Sequence, residues 1–170
     1  GNVTISQLIS YVTQVKARVD VPVTVAETYG EWTTHPTRMK PLADTLDFIS
    51  VHMLPYWEGV PIEQAEAHIR ECYANMQRLY PGKRIVITEV GWPTNGEYFA
   101  GGVPSQWNQE TLVRQFIRFA REKNVDYYVI EAFDQPWKTG EGDVGKYWGL
   151  FTADRKPKFD WQQPRFAGLS

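Results

Sequence analysis

The feature that most constrains the fold is the alternation of short apolar runs with amphipathic helical stretches along a chain of 170 residues. The apolar runs are nearly continuous, which is typical of parallel strands covered on both faces. In chain order, the predicted elements are a helix from Thr4 to about Arg18, a strand over 21–27, a weak helix from Arg38 to Thr45, a strand over 46–53, a helix from Pro61 to Tyr80, a strand over 83–90, a helix from Pro104 or Ser105 to about Asn124, and a strand over 127–133. The pattern predicts an α/β fold built from four parallel β/α units.

Composition limits the number of domains and the classes of partner. With 42% hydrophobic residues, the chain can bury one sizeable core, so we expect a single domain over residues 1–170 with a loop-like C-terminal tail over 152–170. The net charge of −2 and the interspersed signs favour neither nucleic acid nor a membrane surface as a partner. No apolar stretch approaches the roughly 18 residues of a membrane span. The compartment is left open by these observations.

Polar and aromatic side chains gather where the predicted strands end. The carboxyl ends of parallel strands meet at one edge of a sheet, which is where α/β folds place their ligand sites. Three of the four strands end on a carboxylate there. The candidate site residues are Glu27 after the first strand, His52, Tyr56 and Trp57 after the second, Glu89 and Trp92 after the third, and Glu131, Trp137 and Lys138 after the fourth.

This combination of residue types favours carbohydrate chemistry. Tyr and Trp rings stack on the apolar faces of sugars, while paired carboxylates perform glycosidic bond cleavage as nucleophile and acid/base. His52 lacks partners at metal-ligand spacing, so neither a metal nor a cofactor is expected. Glu27 can instead be an ion-pair partner, and Glu131 a hydrogen-bonded core carboxylate.

Three segments resemble a known enzyme family. ITEVGWPT (87–94), DFISVHMLPYWEG (47–59) and YYVIEAFDQPWK with YWGLF (127–138 and 147–151) are similar to the later strands of glycoside hydrolase family 17, the β-1,3-glucanase-like enzymes, and most closely to its bacterial branch. The resemblance implies a (β/α)8 barrel, a retaining mechanism and a β-linked glucan oligosaccharide as substrate. Glu89 corresponds to the family's nucleophile. Tyr56, Trp57, Trp92, Trp137 and Lys138 correspond to residues of the cleft.

The resemblance covers only strands five to eight of such a barrel. The family's acid/base is a Glu in a Gly-Asn-Glu segment, whereas this chain begins Gly1-Asn2-Val3. We therefore expect a half-barrel that lacks the first half and its acid/base. Because an open sheet leaves two unpaired edges, two copies of the chain are expected to close a barrel as a homodimer. The parent enzyme is expected to be periplasmic, extracellular or membrane-anchored.

Two alternatives remain open at this point. The chain can be a catalytically inactive carbohydrate-binding or structural fragment that keeps its aromatic residues. It can also be a small unrelated α/β enzyme that uses Glu27 and Glu89.

Overall fold

The computed structural model describes residues 3–162 and is centred on a four-stranded parallel sheet with the strand order β1-β2-β3-β4. The strands are β1 Ala26–Thr28, β2 Ile49–Met53, β3 Ile85–Val90 and β4 Asp126–Val129. The helices are α1 Ile5–Lys16, α2 Tyr29–Thr34, α3 Pro36–Thr45, α4 Ile62–Leu79 and α5 Gln106–Lys123, followed by a 3-10 turn at Asp143–Lys146. The α/β class and the four parallel strands predicted from the sequence are confirmed.

The helix ends follow local chemistry that is visible in the sequence. Thr4 and Gln7 form a reciprocal capping box at the start of α1. The Ser105 hydroxyl accepts a hydrogen bond from the Asn108 backbone N–H at the start of α5. Asn124 ends α5 in the left-handed conformation that suits a helix C-terminus. These caps fix where the helices begin and end, and therefore where the loops at the sheet edge start.

One face of the sheet packs under helices and forms the core. Side chains that alternate along β2 and β3 are buried, and they join apolar residues of α4 and α5 in one cluster. The sheet side consists of Ile49, Val51, Met53, Ile85, Ile87 and Val90, and the helix side includes Ile69, Met76, Leu112 and Phe116. Ser50, His52 and Tyr128 point by strand alternation toward the opposite face of the sheet, which we call the inner face.

The first strand is shorter than predicted. Residues 21–25 are extended, with one backbone hydrogen bond from the Asp47 N–H to the Val23 carbonyl at 3.1 Å. Side chains make two further contacts: the Asp47 carboxylate accepts from the Val23 N–H at 2.7 Å, and the Thr24 hydroxyl donates to the Phe48 carbonyl at 2.7 Å. Helix α2 was not predicted. It starts directly after β1 because the Thr28 hydroxyl caps the Glu31 N–H.

The fourth strand also ends early, and its continuation changes partner. The Ile130 N–H still bonds to the Val90 carbonyl at 2.9 Å, and the next peptide bond, Ile130–Glu131, is cis. From Glu131 onward the backbone pairs with residues 148–151, through Glu131 N–H to Trp148 O at 3.1 Å and Leu150 N–H to Glu131 O at 2.8 Å. The YWGLF segment thus supplies the backbone hydrogen-bond partners of the chain that follows β4.

Residues 152–162 of the predicted tail pack on the rest of the chain. Phe159 is buried, and the Lys158 ammonium lies between the loops that follow β3 and β4. The remainder of that tail, 163–170, lies outside the described residues, as do Gly1 and Asn2. Within residues 3–162, no helix combines the length and apolarity needed to cross a membrane.

Candidate active site

Glu89 and His52 form a close pair at the carboxyl edge of the sheet. The register pairs Val51 with Ile87 but His52 with Glu89, so β3 carries one extra residue, Thr88, at this point. Such a bulge reorients the side chain that follows it. Without the bulge, Glu89 would share the helix-covered face with Ile87. With it, the carboxylate turns to the inner face, where its Oε2 lies 3.3 Å from His52 Nδ1. Both side chains remain accessible, at 34% and 22% exposure.

The loop after Glu89 is held by a close backbone approach. A Cβ atom at Gly91 would lie 2.2 Å from the Ile130 carbonyl oxygen, so only glycine lets the ends of β3 and β4 come together here. Trp92 then turns inward and donates its indole N–H to the Val103 carbonyl at 2.9 Å. The carboxylate therefore stands on a rigid strand end and a loop that is fixed on both sides.

Gln109 is a supporting residue that sequence analysis missed. It is fully buried in the first turn of α5, and its amide nitrogen donates to the carbonyls of Trp92, Trp148 and Gly149 at 2.8–3.1 Å. A polar residue on the otherwise apolar side of a predicted helix was the available signal. One side chain thus joins the loop after β3 to the segment that pairs with β4.

Two of the predicted sugar-stacking rings are instead packing residues. Trp92 is 0% exposed and Tyr56 is 1% exposed, and the Tyr56 hydroxyl donates to the Glu97 carbonyl at 2.7 Å. Their rings meet edge to face at 6.0 Å. Neither ring offers a face to a ligand in this structure, so we correct the prediction for both. Trp57 is half-buried and stacks on Trp148 with a ring-centroid distance of 6.2 Å.

Glu131 lies after β4 in a crowded polar group. Its carboxylate accepts a hydrogen bond from the Gln135 side chain, and the Lys138 ammonium lies 3.8 Å away. Burial raises the pKa of Glu131 above its usual value, and Lys138 opposes this rise. Lys138 also pairs with Glu141 at 3.1 Å. Trp137, next to Lys138, is 74% exposed and presents a free ring.

A buried lysine connects the two loops that flank this group. Lys158 Nζ donates to Asp134 Oδ1 and to Thr94 Oγ1, both at 2.7 Å. Asp134 Oδ1 also accepts from the Gly149 N–H at 3.0 Å. Burial lowers the pKa of Lys158, although Asp134 acts in the opposite direction. Lys158 lies in the segment predicted to be a loop-like tail, and it was not among the predicted site residues.

Glu27 is not brought to this group. The parallel register pairs Glu27 with Val51, a side chain buried on the helix side, and pairs Thr28 with His52. Because neighbours in register point to the same face, Glu27 points away from the face of the Glu89–His52 pair. We therefore remove Glu27 from the candidate site, which now consists of Glu89, His52, Trp57, Glu131, Trp137 and Lys138.

Comparison with known proteins gives a consistent result. The model of the BtgE/BtgC glycoside hydrolase domain family matches residues 1–149. A glucan 1,3-beta-glucosidase of Arthroderma benhamiae is 32% identical over 128 residues, which cover 66% of this chain and 41% of the relative. A probable glucan endo-1,3-beta-glucosidase of Aspergillus fumigatus is 27% identical over 174 residues, covering 89% of this chain and 24% of the relative.

A similar solved structure is the glycoside hydrolase family 17 beta-1,3-glucanosyltransferase of Rhizomucor miehei. It superposes with a TM-score of 0.82 at 28% identity, covering 92% of this chain and 57% of the enzyme. An active-site mutant of that enzyme has been solved in complex with laminaritriose. The chain thus spans between about a quarter and somewhat more than half of the proteins named here. These matches confirm the family 17 resemblance identified in the sequence.

Proposed function

This chain belongs to the BtgE/BtgC glycoside hydrolase domain family. We therefore propose that it forms part of a barrel that cleaves or transfers β-1,3-glucan, and that Glu89 is the nucleophile. The observation on which this depends is the bulge at Thr88, which turns the Glu89 carboxylate to the inner face beside His52. A strand-end carboxylate on a rigid scaffold is suited to attack one carbon of a bound sugar.

In the proposed reaction, Glu89 attacks the anomeric carbon as the glycosidic C–O bond breaks. The leaving oxygen takes a proton from a general acid, and the sugar becomes covalently bound to Glu89 as an ester. Water or a sugar hydroxyl then gives its proton to the same acid/base group and displaces Glu89, so the anomeric configuration is retained. His52 positions the Glu89 carboxylate through its 3.3 Å contact.

The remaining site residues are proposed to bind the glucan. Trp137 and the half-buried Trp57 supply ring surface, while Lys138 and Glu131 supply hydrogen-bonding groups. We assign the acid/base to no residue of this chain. The raised pKa of Glu131 suits a proton donor, but its contacts with Lys138 and Gln135 support a binding role instead.

A covalent-labelling experiment tests the nucleophile without needing the acid. A 2-deoxy-2-fluoro laminaribioside with a dinitrophenolate leaving group loses that group unaided and forms a long-lived glycosyl-enzyme. We expect the chain to gain the mass of one 2-deoxy-2-fluorolaminaribiosyl group, and peptide mapping to place it on Glu89. The matched variant Glu89→Gln should remain unlabelled. Labelling of another carboxylate would refute the assignment.

The second candidate, a non-catalytic glucan-binding unit, is favoured by the exposed aromatic rings, of which Trp137 is the most open. It predicts that laminari-oligosaccharides bind while the fluoro-sugar never labels the chain. Calorimetry of laminaritriose binding, run beside the labelling, separates the two functions. Binding that is retained in Glu89→Gln and lost in Trp137→Ala, with no labelling of the wild-type chain, would favour the binding unit.

We also propose that two copies of the chain associate. Within residues 3–162, β1 and β4 are the outer strands of the sheet, and each pairs with a neighbour on one side only. Tyr128 on the inner face is 68% exposed, so closure would bury apolar surface as well as strand edges. Sedimentation equilibrium tests this proposal: a dimer is expected at micromolar concentration, and a monodisperse monomer would refute it.

A further inference from the structure

Three side chains with metal-binding atoms converge away from the candidate active site. Glu58 lies in the loop after β2, and His68 and Cys72 lie one turn apart on α4. His68 Nε2 is 2.8 Å from Glu58 Oε2 and 3.4 Å from Cys72 Sγ. The three donor atoms all lie within 4.8 Å of one another. A contact between the loop and the helix thus brings together a carboxylate, an imidazole and a thiol.

Two of the three donor-atom distances, those from His68 Nε2 to Cys72 Sγ and to Glu58 Oε2, are close to those of a zinc coordination sphere. Tetrahedral bonds of about 2.0 Å to N and O and about 2.3 Å to S place the nitrogen about 3.3 Å from the oxygen and about 3.6 Å from the sulfur. The nitrogen-to-sulfur distance therefore already fits, and the nitrogen-to-oxygen distance must open by about 0.5 Å. Glu58 and His68 are 35% and 29% exposed, so a cation can enter and keep a water molecule as its fourth ligand.

The competing interpretation is a hydrogen-bonded ion pair with a thiol beside it. In that state the same ring nitrogen, His68 Nε2, faces both the Glu58 carboxylate and the Cys72 sulfur. One imidazole nitrogen offers either a single hydrogen or a single lone pair, so it cannot satisfy both neighbours. A divalent cation between the three donor atoms would bind the carboxylate, the imidazole and the thiolate together, with the thiol proton released to solvent.

We propose that Glu58, His68 and Cys72 form a binding site for a zinc-type divalent ion. The ion would connect the loop after β2 to α4. That loop carries Trp57, the residue before Glu58, so the ion would also fix the position of this ring.

Cobalt titration of the wild-type chain tests the site directly. Co²⁺ bound by a thiolate gives an intense near-ultraviolet charge-transfer absorption, which oxygen-only sites lack. We expect saturation at one Co²⁺ per chain and displacement by one equivalent of Zn²⁺. Zn²⁺ should also raise the melting temperature, and a chelator should reverse that rise.

Variants separate a three-residue site from adventitious thiol binding. Cys72→Ser should abolish the charge-transfer band, and Glu58→Gln and His68→Gln should each weaken Co²⁺ binding about tenfold or more. His35→Asn, at a helix end outside the cluster, should leave the titration unchanged. The absence of a band in the wild-type chain at excess Co²⁺ would overturn the proposal. A band that keeps its affinity in both Glu58→Gln and His68→Gln would also overturn it, since Cys72 alone would then be responsible. Because Glu58 is a partly exposed loop residue, its variant should fold even if Cys72→Ser does not.

Discussion

Replacing Lys158 with methionine should destabilise the chain out of proportion to its position near the C-terminus. Its ammonium and the Asp134 carboxylate are 7% and 13% exposed and lie 2.7 Å apart. At an effective dielectric constant of about 20, their attraction is about 6 kcal/mol before desolvation is subtracted. Burial nevertheless lowers the pKa of Lys158, so desolvation of the ammonium outweighs the attraction of Asp134. The intact pair therefore contributes little net stability.

Replacing Lys158 alone lowers the stability much more than the small net contribution of the pair, because Asp134 would stay buried without its counter-ion. Breaking a buried pair costs about 3–5 kcal/mol. We expect the lower end, about 3 kcal/mol, since Asp134 keeps its hydrogen bond from the Gly149 N–H. For a chain of this length that cost lowers the melting temperature by about 6–12 °C. Urea unfolding at neutral pH, followed by tryptophan fluorescence, measures the free energy.

Two control variants test whether the loss of stability comes from the buried Asp134 charge. Lys156→Met removes an exposed lysine of the same segment and should change the free energy of unfolding by less than about 0.5 kcal/mol. Adding Asp134→Asn to Lys158→Met removes the buried charge and should recover about 1 kcal/mol or more. A Lys158→Met chain within about 1 kcal/mol of wild type, or a double variant as unstable as the sum of its singles, would show that the pair is not coupled in this way.

Three further perturbations test other parts of the site. Gly91→Ala should lower the free energy of unfolding by at least about 3 kcal/mol or prevent folding, because its Cβ would lie 2.2 Å from the Ile130 oxygen. Gly140→Ala should be tolerated, because no atom lies within 4 Å of its Cβ position. Thermal melts of the two variants compare them. Burial raises the pKa of Glu131, so its carboxyl group destabilises the folded chain increasingly as the pH rises and the group ionises. Glu131→Gln should therefore stabilise the chain at neutral pH and lose that advantage below the pKa of the carboxyl in the unfolded chain. Thermal melts across pH measure this, and a difference in melting temperature between variant and wild type that does not change with pH would contradict it. Trp137→Ala should weaken laminaritriose binding about fivefold, or about 1 kcal/mol, with no change in melting temperature, and calorimetry measures it.

The parts of the fold that were predictable are those with strong local signals. Helices α4 and α5 and strands β2 and β3 lie within the predicted ranges because helical spacing, Pro61, Ser105 and continuous apolar runs act locally. Residues 21–25 carry the same apolar signal as a strand, yet Asp47 and Phe48, more than twenty positions away, decide their hydrogen bonding. Such long-range contacts are invisible to periodicity.

For the site, the sequence identified the strand ends but not the directions of the side chains. Glu27 and Glu89 carry the same sequence signal, an acidic residue after an apolar run. Only the register separates them, because β3 carries one extra residue opposite β2, whereas β1 pairs regularly with β2 over Ala26–Thr28. The burial of Tyr56 and Trp92 depends on loops that fold over them, through hydrogen bonds to Glu97 and Val103. Aromatic content alone does not tell a packing ring from a binding ring.

The extra residue at Thr88 also predicts how the site tolerates a change in chain length. Loss of that single codon would place Glu89 directly after Ile87, and regular strand alternation would then point the carboxylate to the inner face opposite His52, as the bulge does now. The Gly-Trp-Pro segment would keep its position relative to Glu89. A lineage could thus gain or lose this one codon and keep the orientation of its proposed nucleophile.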